Sequence, residues 1–277
     1  MTGASVRGKK IGIIGVGNIG ASILRGLLAA EHVSGPLFIS DVRSERLELV
    51  AGEFKPRVLV CTSNLEVAER SDVILLAVKP QDVRAVLEGI APVLGKDKLL
   101  ITVAAGVPTK TIERVLGEGK RVIRVMPNIG ALIGESVTAL SKGTYADDAD
   151  EAVAKAVLGA IGAVYTVKEH DIDIITGLSG SGIAFFAAVI DAMAAGGVCE
   201  GLPRELALAI AAQTAQGAAK LVLAGTTPVA LQEMTASPGG TTMRGLYAME
   251  ARNVKAAMMH AVSAATKRAR ELSTSIE

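Results

Sequence analysis

Two short glycine-bearing runs near opposite ends of the chain, the second also rich in hydroxyl side chains, have the composition to hold anions. The first is Gly15-Val16-Gly17-Asn18-Ile19-Gly20. It follows a β-rich run from Lys10 to Ile14 and precedes helical spacing from Ala21 to Ala30, the strand, Gly-x-Gly-x-x-Gly, helix order of a dinucleotide site. Gly15 permits the tight turn, Gly17 lets a pyrophosphate approach the backbone, and Gly20 allows close helix-to-strand contact. The N-terminus of the following helix then faces the phosphates, with Asn18 and Ile19 in the turn counted among the cofactor-binding residues. The second run, Ser237-Pro238-Gly239-Gly240-Thr241-Thr242, lies between two apolar-periodic stretches. Pro238 ends one helix, and the glycine pair permits a sharp turn into the next. Such a turn exposes N–H groups and the hydroxyls of Ser237, Thr241 and Thr242 at a helix N-terminus, where a carboxylate or phosphate binds. Pro-Gly-Gly alone is more readily a plain connection between helices.

Further candidates sit at strand ends. Asp41 closes the second strand, 21 residues beyond Gly20. A carboxylate there bonds the adenosine ribose hydroxyls and repels a 2′-phosphate, favouring NADH, whereas Arg43 and Arg46 would attract that phosphate and favour NADPH. Use of both is expected; capping the helix that starts near Ser44 is the other reading of Asp41. Val78-Lys79-Pro80 and Met126-Pro127-Asn128 each follow an apolar run, at the rim where open α/β sheets bind ligands. A solvated lysine after a strand is the alternative for Lys79.

The elements that must position these residues alternate through the first half. Short apolar or β-branched runs at Pro36–Ser40, Arg57–Cys61, Asp72–Val78, Lys98–Val103 and Arg121–Met126 are separated mostly by helical stretches such as Val83–Leu94 and Thr109–Leu116. Ser136–Ser141 and Ala163–Val167 add two strands around a helix at Asp147–Ile161. The pattern predicts an α/β fold: a Rossmann-like, doubly wound, mainly parallel sheet over residues 1–168. From Glu169 the strand signal stops, and Ile172–Gly197, Pro203–Ala224, Val229–Ala236 and Gly240–Leu272 read as helices of an all-α domain, residues 169–277. Several faces are apolar almost all round, which predicts burial against a second subunit.

Composition excludes other classes. With 277 residues, half of them hydrophobic, the chain can bury a sizeable core in two domains. The 29 Lys+Arg balance 28 Asp+Glu, and no basic stretch combines with aromatics, so nucleic acid is not an expected partner. Charged and glycine residues interrupt the apolar helices, so no membrane insertion is expected. The basic start from Met1 to Lys10 reads as a short tail, not a signal peptide. Cys61 and Cys199 lack partners at metal-ligand spacing and read as reduced core thiols of a cytoplasmic protein, and no metal site is expected. His32, His170 and His260 lie in or beside polar segments and read as solvated or capping residues, not catalysts.

The run Leu231–Glu250 closely resembles the signature of the pyrroline-5-carboxylate reductase family. The likeness extends over nearly the whole chain, through Gly12-Ile13-Ile14-Gly15-Val16-Gly17-Asn18, Ala77-Val78-Lys79-Pro80-Gln81-Asp82-Val83, Arg124-Val125-Met126-Pro127-Asn128, Gly177-Leu178-Ser179-Gly180-Ser181-Gly182 and Gly201-Leu202-Pro203-Arg204-Glu205. The resemblance implies hydride transfer from NADPH or NADH to a cyclic imino acid, a nucleotide domain followed by an intertwined dimerisation domain, and active sites near the dimer interface. In many members the dimers assemble into rings. It implies that Val78-Lys79-Pro80 lies beside the cofactor, that Met126-Pro127-Asn128 borders the nicotinamide, and that Asn64 bonds the adenosine ribose, for which a helix cap is an equally good reading. The Ser237 hydroxyl and the N–H groups around Gly239, Gly240 and Thr241 are then expected to bind the substrate carboxylate, and the resemblance implies that the Thr242 hydroxyl bonds the ring nitrogen.

Two departures bear on the pocket. Most of the family has Asn-Thr-Pro-Ala where this chain has Asn128-Ile129-Gly130-Ala131, and commonly Ser-Gly-Ser-Gly-Pro-Ala-Tyr where this chain has Ser179-Gly180-Ser181-Gly182-Ile183-Ala184-Phe185. β-Hydroxyacid dehydrogenases share the first glycine turn, but follow the second glycine run with a lysine that handles the hydroxyl proton. Phe186 stands there in this chain, which favours imine reduction over alcohol oxidation. An iminium carbon accepts hydride without a strong protein acid, so placement is the main requirement. A reductase of a related cyclic imino acid, and a nucleotide-binding sensor that has lost turnover, are the remaining alternatives.

Overall fold

The computed structural model describes residues 6–30, 33, 35–54 and 56–274, so His32 and the first five residues of the tail lie outside the described part. The order is β1 (Ile11–Ile14), α1 (Asn18–Ala29), β2 (Leu37–Ser40), α2 (Ser44–Phe54), β3 (Val58–Val60), α3 (Asn64–Arg70), β4 (Val73–Leu76), α4 (Val83–Ile90), β5 (Leu99–Thr102) and α5 (Thr109–Leu116). Then come β6 (Arg121–Met126), β7 (Ser136–Lys142), α6 (Asp148–Leu158) and β8 (Gly162–Thr166). The strands form one sheet in the order β3-β2-β1-β4-β5-β6-β7-β8, and all neighbours are parallel except β6 and β7. The first six positions give the doubly wound order whose switch point lies between β1 and β4, beside the Gly15–Gly20 turn.

Every residue of β1, β2, β4 and β5 is buried, as expected for parallel strands covered on both faces. Successive side chains point to opposite faces, so Ile13, Ile39, Leu75 and Ile101 join one core with Ile23, Leu24 and Leu27 of α1. Ile14, Ile74 and Leu76 join the other, with Leu87 of α4 and Ile112 of α5. Helix α6 starts on a capping box, in which Asp147 accepts from the Asp150 N–H and Asp150 accepts from that of Asp147.

By its contacts the chain divides into Met1–Gly180 with Ala265–Glu277, and Ser181–Ala264, whereas the strand signal in the sequence stops at Lys168. The first unit also holds α7 (Ile172–Ile175) and a π-helical turn, Thr176–Gly180. In that turn Gly177 packs on the backbone and hydroxyl of Thr266 so closely that any Cβ would overlap them. The second unit contains α8 (Gly182–Cys199), α9 (Arg204–Leu223), α10 (Pro228–Thr235), α11 (Thr241–Ala251) and the first half of α12 (Val254–Thr274). Its buried apolar core is thin: Ala194, Ala207 and Ala211, with Ile190 against them.

Three expectations are corrected. The stretch Gly240–Leu272 is two helices, because Asn253 takes a left-handed conformation at φ 54 and breaks the run between α11 and α12. Cys61 is buried, but Cys199, at the end of α8 in the thin unit, is exposed. The apolar helices are not interrupted short of a bilayer span. Glu169–Cys199 and Arg204–Leu223 are each long and apolar enough to cross a membrane by length and composition, and 11% of each apolar window is buried.

Candidate functional site

The C-terminal ends of the parallel strands gather the first set of candidates. Gly15 has φ +93, and a Cβ there would sit 2.5 Å from the Ala77 carbonyl oxygen, so only glycine fits between β1 and the end of β4. A Cβ on Gly20 would overlap the Gly15 carbonyl oxygen. Gly17, by contrast, faces open space, with Arg43 Nη2 the nearest group, 3.8 Å from where a Cβ would stand. Gly17 is also the N-cap of α1 and supplies no capping side chain, which leaves the N–H groups at Asn18 and Ile19 for an anion. The cradle fits a dinucleotide pyrophosphate. Val78 lies against Gly15, Lys79 is exposed, and Pro80 opens a short 3₁₀ turn at the same rim.

Asp41 does not cap α2. Its carboxylate accepts from the Val16 N–H at 2.9 Å, from the Arg43 N–H at 3.0 Å, and from the Arg43 guanidinium through Nε and Nη2 at 3.0 and 3.1 Å. Burial pushes this carboxyl up, but the Arg43 guanidinium and the two N–H groups outweigh it and hold the group below the usual carboxylate range. Arg46 Nε donates to the Val16 carbonyl at 3.0 Å. Both arginines are therefore tied to the glycine turn. The cap of α3 is Ser63, which accepts from the Glu66 N–H, and not Asn64. Asn64 Oδ1 instead accepts from Ser40 Oγ at 2.8 Å, which places this amide beside the end of β2.

At the end of β6 the side chain of Asn128 is buried and fully engaged. Its Oδ1 accepts from the Gly130 N–H at 3.0 Å and its Nδ2 donates to Ser179 Oγ at 2.9 Å, while its own N–H donates to Ser136 Oγ at 3.2 Å. The Met126 methyl lies against Gly180 of the π-helical turn. The structure thus joins Met126-Pro127-Asn128 to a segment for which sequence reasoning assigned no role to individual residues. The available signal was a Ser-Gly-Ser-Gly run inside an otherwise helical stretch. Also unforeseen is Arg124, whose side chain is 5% exposed and lies 3.5 Å from Glu169 and 3.4 Å from Asp173. Glu169 accepts from the N–H and hydroxyl of Thr109, and Asp173 from Ser273 Oγ. These pairs fix α7 and the end of α12 to the sheet.

In the second unit the turn Ser237–Gly240 is closed by the Gly240 N–H donating to the Ser237 carbonyl at 2.9 Å, with Gly239 at φ 72. A Cβ on Gly240 would overlap Ser237 Oγ. Gly240 is the N-cap of α11 and offers no side-chain cap to the N–H groups of the first turn, at Thr241 and Thr242. Thr242 is inside the first turn and is not the cap. His170 is exposed beside Asp171, and His260 is exposed on α12. Among the described residues no cluster of histidine, cysteine or carboxylate side chains could hold a metal ion.

Residues 169–272 match the family model described as pyrroline-5-carboxylate reductase dimerisation, and residues 10–106 match that described as NADP oxidoreductase coenzyme F420-dependent. A pyrroline-5-carboxylate reductase of Methanosarcina acetivorans is 41% identical over 95% of this chain and 98% of its own length. A solved pyrroline-5-carboxylate reductase from Coxiella burnetii superposes with a TM-score of 0.90 at 32% identity, covering 96% of this chain and 98% of that one. A Plasmodium falciparum pyrroline carboxylate reductase with NADP bound superposes with a TM-score of 0.85 at 30% identity, covering 97% of this chain and 99% of that one.

Proposed function

This chain belongs to the pyrroline-5-carboxylate reductase family, and we propose from that premise that it reduces the cyclic imine 1-pyrroline-5-carboxylate to L-proline with NAD(P)H. The observation that carries the reading is the Ser237–Thr242 turn, closed on itself and opening an uncapped helix. The nicotinamide supplies the hydride, and the chain supplies placement. The N–H groups at the start of α1, with Gly15, Gly17 and Gly20, hold the pyrophosphate. Asp41, Arg43 and Asn64 address the adenosine ribose end, and Val78, Lys79, Pro80, Met126 and Pro127 border the rim. Ser237 Oγ and the N–H groups around Gly239, Gly240 and Thr241 hold the carboxylate of the imino acid. Thr242 Oγ bonds the ring nitrogen.

The helical region 169–277 is the dimerisation and substrate domain in this reading, residues 1–168 are the nucleotide domain, and the protein works as a cytoplasmic homodimer or a ring of dimers. Neither nucleic acid nor membrane takes part. Consumption of NADPH or NADH with pyrroline-5-carboxylate, followed by absorbance alongside pyrroline-2-carboxylate and piperideine-carboxylates, tests it. Faster turnover of pyrroline-5-carboxylate than of the others is expected. Tight cofactor binding with no turnover of any of them would replace the reductase by a sensor.

A further inference from the structure

The hydrogen bonds at the end of β6 have a defined direction. The Gly130 N–H is a donor only, so the atom of Asn128 that faces it, at 3.0 Å, must be the carbonyl oxygen. That orientation turns the amide nitrogen to Ser179 Oγ at 2.9 Å, and the serine oxygen accepts there. A hydroxyl that accepts from an amide keeps its own proton to give. Among the described residues no acceptor takes it, and Ser179 is partly exposed on the π-helical turn. The glycine at position 130 matters for this polarity. A proline, which most of the family carries there, has no N–H and would leave Asn128 Oδ1 without this partner.

We propose that Asn128 is a positioning residue that acts through Ser179, and that the Ser179 hydroxyl donates to an acceptor oxygen of a ligand bound at the β6 rim. That oxygen belongs to the carboxamide of the cofactor or the carboxylate of the imino acid; in both the chemistry is a carbonyl-type oxygen receiving one oriented O–H. The proposal rests on the assigned reductase activity. It gives Asn128, expected only to border the nicotinamide, the part of orienting the group that makes the contact. The π-helical turn is what brings Ser179 to this place, since an extra residue in the turn rotates the following side chains relative to a regular helix.

Two nearly isosteric variants test the relay in the full-length protein. Ser179→Ala removes the donor and is expected to weaken ligand binding by about 5- to 30-fold, the range for losing one hydrogen bond of about 1–2 kcal/mol. Asn128→Asp replaces the amide nitrogen by an acceptor, so the Ser179 proton turns inward and the same loss is expected, although the serine is still present. The double variant should lose no more than either single one. The readouts are the dissociation constant of NADPH from its fluorescence and the KM of pyrroline-5-carboxylate at saturating NADPH. A change in the first identifies the carboxamide as the acceptor, and a change in the second alone identifies the carboxylate. A Ser179→Ala protein with both values within about twofold of wild type would overturn the proposal, and so would losses that add in the double variant. Should Asn128→Asp fail to fold, Ser179→Ala decides alone. Wild-type protein that binds NADPH but reduces no imine would sink the reductase reading, while the fluorescence arm still reads the relay.

Discussion

In the proposed cofactor site a single ion pair, Asp41 with Arg43, would meet both cofactors. The Asp41 carboxylate already has partners on both oxygens, so ribose hydroxyls reach it only by displacing the Arg43 guanidinium. Arg43 is largely exposed, with Nη2 at the glycine turn, and has N–H groups left for a 2′-phosphate. Removing the carboxylate leaves that guanidinium unpaired. Asp41→Ala is therefore expected to move the NADPH/NADH ratio of kcat/KM toward NADPH by about fivefold, and Arg43→Ala to move it toward NADH by a similar factor. An unchanged ratio in both would remove the pair from the cofactor site. Thr242 is tested in the same way at the other end of the chemistry. Thr242→Val keeps volume and strips one polar contact, at a cost of about 1–3 kcal/mol, or one to two decades in kcat/KM for the imine. Because Gly240 and not Thr242 caps α11, the melting temperature and NADPH affinity should stay near wild type. A destabilised variant with normal turnover would refute its role at the ring nitrogen.

Among elements, the β7–β8 edge is held to α6 by a cluster around Glu151. Its carboxylate lies 2.7 Å from Lys155, accepts from Thr166 Oγ at 2.6 Å and lies 3.4 Å from Lys142. Lys155 first, then Thr166, hold this group at about 2, against an ordinary value of 4.5. A depressed folded-state value stabilises the native state above the unfolded value, and the contribution is lost as pH falls from about 4.5 through about 2. Screening by solvent limits it to about 1 kcal/mol. Glu151→Gln should lower Tm at pH 7 by about 2–4 °C, with the difference from wild type vanishing near pH 2; a gap that persists in acid would point to packing instead. Elements of this kind were legible in the sequence, because short apolar runs bounded by Gly, Pro and Asp carry their own limits. Thr109–Leu116 and Arg121–Met126 have the boundaries that periodicity gives. The glycine turn was legible for the same local reason. Asn253 was not, since an asparagine inside an amphipathic run marks no break unless its backbone is known. The contacts of Asn128 with Ser179, 51 residues away, and of Asp173 with Ser273, 100 residues away, join segments that no local pattern connects.

For the whole molecule the decisive fact is how little of the second unit is hidden by the chain itself. Three alanines make its buried apolar core, while Phe186 is 66% exposed, Leu223 is 82% exposed, and Leu206, Ile210 and Leu221 are about half exposed. Apolar surface on this scale is covered by lipid or by protein. Length and composition alone allow lipid for α8 and α9. The match of residues 169–272 to a dimerisation model favours a second copy. A two-fold interface between such faces would supply the core that three alanines do not. The purified protein should therefore sediment, without detergent, as a dimer or a multiple of it, at any concentration that leaves it folded. Ile210→Arg places a charge on the apolar face of α9 and should shift the population to smaller species and lower Tm by several degrees, because a buried unpaired charge costs several kcal/mol. Activity should fall with the dimer fraction if the dimer is the working form. An active monomer, stable across dilution, would refute the interface, and a protein recovered only in detergent would return α8 and α9 to the bilayer.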